Sequence, residues 1–390
     1  MVTVKRVIDG IVKPLQYIFN LSFQEGVFPQ KMKVAKIIPI YKSGEKHCFT
    51  NYRPVSVLSQ FSKVLEKPFL KRFDSFVDKH DLLANCQCGF RNNRSTVLAL
   101  MDLMEEITEC MDNKKYALGV FLDLKKAFDT VDHEILKIKL EKYGFRGVVL
   151  DWINSYVMNR QQYVQINEFK SKMMDIECGV PQGSVLGPKM FIMYINDICK
   201  VSKILKFVIF ADDTNILCSG AEFQQVLEVI TQELKILKKW FDRNKLSLNL
   251  NKTKFMLFGN YKKNINIEIC VDNIYLENVN AIKFLGVIID QKACWKSHIT
   301  YVRGKLARGI AVLGKWNLKL QRVRTTLKRM SISIAGVKFW NELKEEIKVS
   351  SDINQFKIKL KKEILNKYKN EENAINPRQQ SNSCLFSSAN

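Results

Sequence analysis

The 390-residue chain has no apolar run approaching the roughly 20 residues a membrane-spanning helix needs. Its opening, MVTVKRVIDGIVKPL, lacks the apolar core of a secretory leader. These absences lead us to expect a soluble intracellular protein, nuclear or cytoplasmic, with no membrane partner. Acidic residues are scarce: 39 Asp and Glu face 62 Lys and Arg, a formal net charge of +23. A surplus of that size points to a polyanionic partner, and nucleic acid fits it better than an anionic membrane surface. The ten cysteines are scattered, and only Cys86 and Cys88 lie close together. No CxxC pair with Cys or His partners is present, which excludes the usual zinc sites and favours free thiols in a reducing compartment. There is no internal repeat. Hydrophobic residues make up 46% of the chain, enough to exclude broad disorder.

What is there reads as alternating helices and short strands. Residues 1–34 carry roughly helical apolar spacing interrupted by Pro14. VAKIIPIYKSG reads as a strand or hairpin arm. The stretch after Pro54 begins extended and continues as an amphipathic helix with Phe61, Val64, Leu65 and Phe69 on one side. STVLALMDLMEEITECMD predicts a helix capped by Ser95. YALGVFLDL is a continuous apolar run ending in Asp123, the pattern of a strand buried on both faces. Helices are expected over about 129–143 and 148–157, then two strands in QQYVQINEF and MMDIECGV, then a helix in GPKMFIMYINDICKV. LKFVIFADDTNILCS predicts a β-hairpin with its acids at the turn. A long amphipathic helix follows, then short strands in KFMLFG, INIEICVDN, IYLEN and IKFLGVIID, and a basic helix over about 298–315. Beyond it the composition becomes strongly basic, residues 352–370 form a Lys-rich helical candidate, and INPRQQSNSCLFSSAN reads as disordered.

The chemistry gathers in three carboxylates. Asp123 ends a buried strand, and Asp212 and Asp213 sit between the apolar stretches FVIFA and TNIL. If those strands are neighbours, three acids meet at one sheet edge, an arrangement that repels itself unless divalent cations are present. Hard oxygen ligands suit Mg²⁺, and a pair of such ions serves in-line phosphoryl displacement. The competing reading is an ordinary Asp-rich turn. For Asp129 the bland reading prevails: it is expected to cap a helix, with Asp132 as a capping-box-like partner.

In this order, FLDLKKAFDTVDHEIL, GVPQGSVLGPKMFIMYINDI and FADDTNIL resemble the reverse transcriptase of non-LTR (LINE-type, jockey-like) retrotransposons. AKIIPIYKSG, NYRPVSVLS and QCGFRNNRSTVLAL upstream extend the resemblance. So do LSLNLNKTKFMLF and IKFLGVIIDQKACWKSHI downstream, so that it covers about residues 15–315. The resemblance implies that Asp123, Asp212 and Asp213 hold two Mg²⁺ ions (Mn²⁺ as a substitute), helped by the Leu124 carbonyl. It places Phe128 as the aromatic gate against a ribose 2′-hydroxyl, where residue character alone suggests a core ring. By the same resemblance Gln182 would lie against the incoming nucleotide and template, and Gly183 would allow close backbone approach. The resemblance implies that Lys42 and Arg53 would reach the triphosphate from the fingers, the competing reading being ordinary surface cations. By the same resemblance Lys252 is a candidate proton donor to pyrophosphate, with Lys254 its rival in the same motif. Phe284 to Val287 would be the hairpin that supports the primer end, the competing reading being a plain apolar strand.

The implied fold is α+β, a right-hand polymerase with an antiparallel palm sheet packed on helices and a reduced thumb. Residues 1–24 would be a helical extension, 25–290 fingers and palm, 291–330 a residual basic thumb, 331–370 a tail helix and 371–390 a disordered tail. RNA template, DNA primer and dNTPs would be the partners. Between RGIAVLGKWNLKL and QRVRTTLKRMSISIAGVKFWNELKEEI the family pattern skips a middle section, with a join near 317–325. Gly336, Lys338, Trp340 and Asn341 fit the far C-terminal tail of such elements. No endonuclease or RNase H block is visible. A truncated copy is therefore expected, one that extends primers poorly. The alternatives are an inactive relic that only binds nucleic acid, and a group II intron maturase-like enzyme, which the jockey-like tail disfavours.

Overall fold

A computed structural model describes residues 8–42, 44–259, 267–313 and 359. It divides into two units, residues 1–298 and 299–390. The second unit begins inside a helix, Lys296–Leu313. The expected join near 317–325, the residues assigned to the tail helix apart from Lys359, and the disordered tail lie outside the described residues. Among the described residues, no helix is long and apolar enough to cross a membrane.

The first unit is a mixed α/β structure built on two larger sheets. One contains β1 (Val34–Tyr41), β2 (Tyr52–Leu58), β4 (Arg160–Ile166), β5 (Phe169–Lys170) and β6 (Met174–Ile176). Here β1 pairs antiparallel with β2 and parallel with β4. The other sheet runs β12 (Glu277–Asn278), β9 (Lys254–Phe258), β3 (Tyr116–Leu122), β8 (Asp213–Gly220), β7 (Lys206–Phe210). All its neighbours are antiparallel except β12 and β9, and β10 (Cys270–Val271) and β11 (Ile274–Tyr275) pair with each other as a separate ribbon.

The central strand β3 is apolar throughout because both of its faces are covered. Leu118, Val120 and Leu122 join a core with Val226, Ile230, Leu234 and Leu237 of the helix Phe223–Arg243. Ala117 and Phe121 face the other way, into a core with Leu103, Ile107 and Cys110 of the helix Thr96–Asp112. The alternation follows from the two-residue period of a strand. Ser95 caps that helix, its hydroxyl accepting from the Leu98 N–H at 3.3 Å.

A further group of helices packs around an aromatic stack. Phe69, on the helix Gln60–Lys79, stacks on Trp152 of the helix Val148–Val157 with centroids 4.0 Å apart. The Trp152 indole N–H donates to the Ser22 hydroxyl at 3.0 Å, on the helix Ile8–Glu25. Glu66 is fully buried on the same helix as Phe69. Its carboxylate accepts from Ser62 Oγ at 2.8 Å and from the backbone N–H groups of Val185 and Leu186 at 2.7 and 3.1 Å. The loop that opens the helix Gly187–Ile195 is thereby pinned to the helix Gln60–Lys79.

Two expectations are corrected. Asp129 does not cap a helix. It closes a 3-10 turn, Ala127–Asp129, with its N–H bonded to the Lys126 carbonyl at 2.8 Å. The helix starts only at His133, with Asp132 as its cap, accepting from the Ile135 N–H at 2.9 Å. Asp132 can cap because its backbone is extended, which aims the carboxylate back along the coming turn. The cysteines are not all free thiols either, because Cys86 and Cys199 form a disulfide across 113 residues. No sequence spacing announces that pair.

Phe69→Ala removes the centre of this aromatic stack. We expect a loss of about 3–5 kcal/mol of unfolding free energy, measured as a lower denaturant midpoint with unchanged slope.

Candidate active site

Strand register brings the acids together. In the β3–β8 ladder Leu122 pairs with Thr214, so Asp123, one step beyond, faces Asp213, one step before. Phe210 pairs with Asp213, which leaves Ala211 and Asp212 as a two-residue hairpin turn between β7 and β8. Asp123 and Asp213 line a common cavity of about 350 Å³, together with Lys252, Lys254 and Phe284. Asp212 opens into a neighbouring cavity of about 400 Å³, lined also by Arg53, Phe128, Gln182 and Gly183.

Asp123 is held from the side of the sheet opposite the hairpin. Its carboxylate accepts from Asn249 Nδ2 at 2.8 Å and its carbonyl from the Asn249 N–H at 2.7 Å. Its own N–H donates to the Thr253 hydroxyl at 3.3 Å, and Thr253 is buried. Leu124 forms an isolated bridge with Leu248. The hydrogen bonds flanking that bridge use Asp123, Lys125, Ser247 and Asn249, so the Leu124 carbonyl is not consumed by it.

The electrostatics report a shortage of positive charge. Asp212 and Asp213 are exposed by surface area, yet the protein around them limits the hydration of their carboxylates. That desolvation pushes both carboxyls above the usual range. For Asp213 the charges of Asp212 and Asp123 add to it, and the group reaches about 6. For Asp212 a backbone hydrogen bond and Arg53 pull back, while Asp123 pushes further up. Among the described residues, no three His, Cys, Asp or Glu side chains are gathered as they stand into a metal-binding group. The donor set nevertheless fits a hard divalent cation: it consists of carboxylate oxygens, with Asp123 and Asp213 facing one cavity, and their mutual repulsion is what such an ion relieves.

Most of the remaining candidates converge on these two cavities. Phe128 stacks on Phe191 with centroids 4.5 Å apart, meets Phe90 edge-on at 6.4 Å, and lines the Asp212 cavity. Gly183 has φ +131°, and a Cβ there would lie 2.2 Å from the Ser56 carbonyl oxygen, so only glycine lets the loop approach β2 this closely. Gln182 Nε2 donates to Asp129 at 3.4 Å, and burial raises the Asp129 carboxyl. The loop carrying Gln182 is fixed to the turn carrying Phe128 by Val180 N–H to the Phe128 carbonyl at 2.8 Å. The buried His133 ring adds a 2.8 Å contact to the Gly179 carbonyl. Phe284 to Val287 do form a hairpin turn, between β13 (Ala281–Phe284) and β14 (Val287–Asp290), with Phe284 packed on Phe121 at 5.5 Å.

The cations divide. Lys252 lines the Asp123 cavity, whereas Lys254, which also lines it, is engaged with Glu277 at 2.9 Å. Arg53 reaches the Asp212 cavity; Lys42 lines neither, lying just beyond the last β1–β2 pair, Tyr41 with Tyr52. Sequence reasoning missed Asn249 and Thr253, whose only signal was polarity inside LSLNLNKTK. It also missed Asp129 as a neighbour of Gln182.

The family model for reverse transcriptase (RNA-dependent DNA polymerase) matches residues 40–289. The chain is 29% identical over 318 residues to the RNA-directed DNA polymerase from mobile element jockey of Drosophila melanogaster, covering 78% of this chain and 34% of that protein. It is 29% identical over 299 residues to the "Probable RNA-directed DNA polymerase from transposon X-element" of the same organism, covering 75% and 33%. The jockey polymerase of Drosophila funebris is 28% identical over 306 residues, covering 76% and 33%. The chain spans about a third of the length of these relatives.

Asp213 binds a proton more tightly folded than unfolded, so its ionised form destabilises the cation-free fold above pH 6. That penalty fades as pH falls to the ordinary carboxylate value. Asp213→Asn should therefore melt a few degrees higher than the parent chain in EDTA at pH 7.5, with the gap closing near about pH 4, as followed by thermal unfolding across that range.

Proposed function

Because the chain belongs to the reverse transcriptase (RNA-dependent DNA polymerase) family, we propose that it carries out RNA-templated DNA synthesis, adding nucleotides to a primer 3′-hydroxyl. The observation that carries the proposal is the facing of Asp123 and Asp213 across the β3–β8 ladder, with Asp212 at the adjoining turn. The arrangement we propose is the right hand of a polymerase. The five-stranded sheet bearing the acids serves as palm, and the β1–β2–β4 sheet with its helices as fingers. The basic helix Lys296–Leu313 is the start of a reduced thumb.

Asp123, Asp212 and Asp213, with the Leu124 carbonyl, are the groups that would hold magnesium. Bound there, magnesium supplies the positive charge that activates the attacking hydroxyl and steadies the departing phosphate oxygens. The protein's own share is positioning and charge. Arg53 faces Asp212 across its cavity, where a forked guanidinium can grip a triphosphate. Phe128, braced from behind by Phe191, presents a ring that would collide with a 2′-hydroxyl. Gly183 lets the Gln182 loop lie flat against the nucleotide and template. Lys252 is the better donor of a proton to pyrophosphate, since Lys254 is drawn to Glu277. The hairpin at Phe284 to Val287 stands beside the Asp123 cavity, where a primer end would rest. The RNA template and DNA primer would be gripped through phosphates and shape, in keeping with the net charge of +23.

Primer extension on an RNA template with dNTPs and Mg²⁺ tests the reading. Asp123→Asn should abolish incorporation, by about 10³-fold or more, while RNA affinity stays within a factor of about two. RNA binding without incorporation by the unaltered chain would instead assign the inactive, nucleic-acid-binding relic. Phe128→Ala should raise ribonucleotide use relative to deoxyribonucleotides by about tenfold or more, read in single-nucleotide addition.

A further inference from the structure

The turn that carries the acids has a conformational problem. Ala211 occupies its first central position with φ +59°, a left-handed backbone that glycine adopts freely and alanine resists. Ala211 is also buried, so its N–H cannot turn to water. Something outside the hairpin must hold this residue.

Gln87 does so, from a segment more than a hundred residues earlier in the chain. It is 1% exposed, and its side-chain oxygen accepts the Ala211 N–H at 3.1 Å and the Gly89 N–H at 2.7 Å. Both facing groups are donors, which fixes the oxygen, rather than the nitrogen, on that side. The Gln87 amide nitrogen is buried with no protein partner among the described residues, so the oxygen is the working end. The backbone around it is docked as well. Gln87 forms a parallel bridge with Ile209. Cys88 N–H donates to the Ile209 carbonyl at 2.7 Å, and Ile209 N–H to the Cys86 carbonyl at 2.9 Å. A Cβ on Gly89 would lie 2.2 Å from Ala211 N, so this approach requires glycine. The segment QCG thus extends the edge of β7 and ends on the amide just before Asp212.

We infer that Gln87 is a positioning residue for the acidic turn: its side-chain oxygen holds the Ala211 amide so that Asp212 and Asp213 face the site together with Asp123. The inference rests on the catalytic reading above, but its geometry is independent of it. Gln87 touches no substrate. Its effect passes through one backbone amide, and a small misplacement of reacting groups is enough to cost about a hundredfold in turnover.

The test compares the full chain with Gln87→Met, which keeps the length and loses the acceptor, and Gln87→Glu, which keeps two oxygen acceptors. Amide hydrogen exchange and single-nucleotide addition are measured on each. We expect Gln87→Met to exchange faster at residues 211–213, with the cores around Leu118 and Leu103 unchanged. It should lose turnover about a hundredfold at near-constant primer–template affinity and require more Mg²⁺ for half-maximal rate. Gln87→Glu should restore slow exchange and at least a tenth of the lost rate. Unchanged exchange and turnover in Gln87→Met would overturn the inference. So would exchange that rises throughout the molecule, or a Gln87→Glu variant as defective as Gln87→Met, since either marks Gln87 as ordinary core filling. If the unaltered chain adds no nucleotide at all, the catalytic reading fails, and the exchange at residues 211–213 still decides the role of Gln87.

Discussion

The candidate site depends on a single register. Leu122 lies opposite Thr214, and from that pairing alone Asp123 comes to face Asp213. A slip of one residue would turn every side chain of β8 to the other face, sending the second acid away from the first. The register is secured by burial on both sides of β3, since Val120 and Phe121 each have a packed core to fill. The hydrophobic sheet thus does more than stabilise: it sets the separation and direction of charges that would otherwise repel each other apart.

Around this register, buried and half-buried polar groups fasten the loops. Glu66 accepts two backbone N–H groups from Val185 and Leu186, His133 contacts the Gly179 carbonyl, and Asn249 reaches the Asp123 carboxylate. Each tie joins segments distant in sequence, and each satisfies a group that would be costly to bury alone. The outcome is a set of short loops from separate parts of the chain, all ending at two adjoining cavities. Arg53 is the cation that faces Asp212 there, and its charge opposes the rise of that carboxyl caused by desolvation.

Much of this was legible in the sequence, for identifiable reasons. The run YALGVFL announced a strand covered on both faces, and FVIFADDTNIL announced a hairpin, because strand period and turn chemistry are local properties. Ser95 was legible as a cap for the same reason. Asp129 and Asp132 were harder: two acids three apart both satisfy a capping pattern, and only the 3-10 turn at Ala127–Asp129 decides between them. Gln87, Glu66 and Thr253 were illegible as site supports. Their roles consist of hydrogen bonds to backbone groups far along the chain, which leave no periodic trace. The Cys86–Cys199 disulfide was hidden for the same reason. Lys42 lies one residue beyond the end of β1 and lines neither cavity.

The pairing of β1 with β4 has a bearing on how the molecule is made. Val34 must wait for Gln161, and β3 for β8 and β9, so neither large sheet can close from neighbouring strands alone. During synthesis the chain therefore emerges for a long interval with one edge of β1 and both edges of β3 unpaired, a slow and aggregation-exposed order of assembly. That interval closes only when β9, which ends at residue 258, has left the ribosome and can pair with β3.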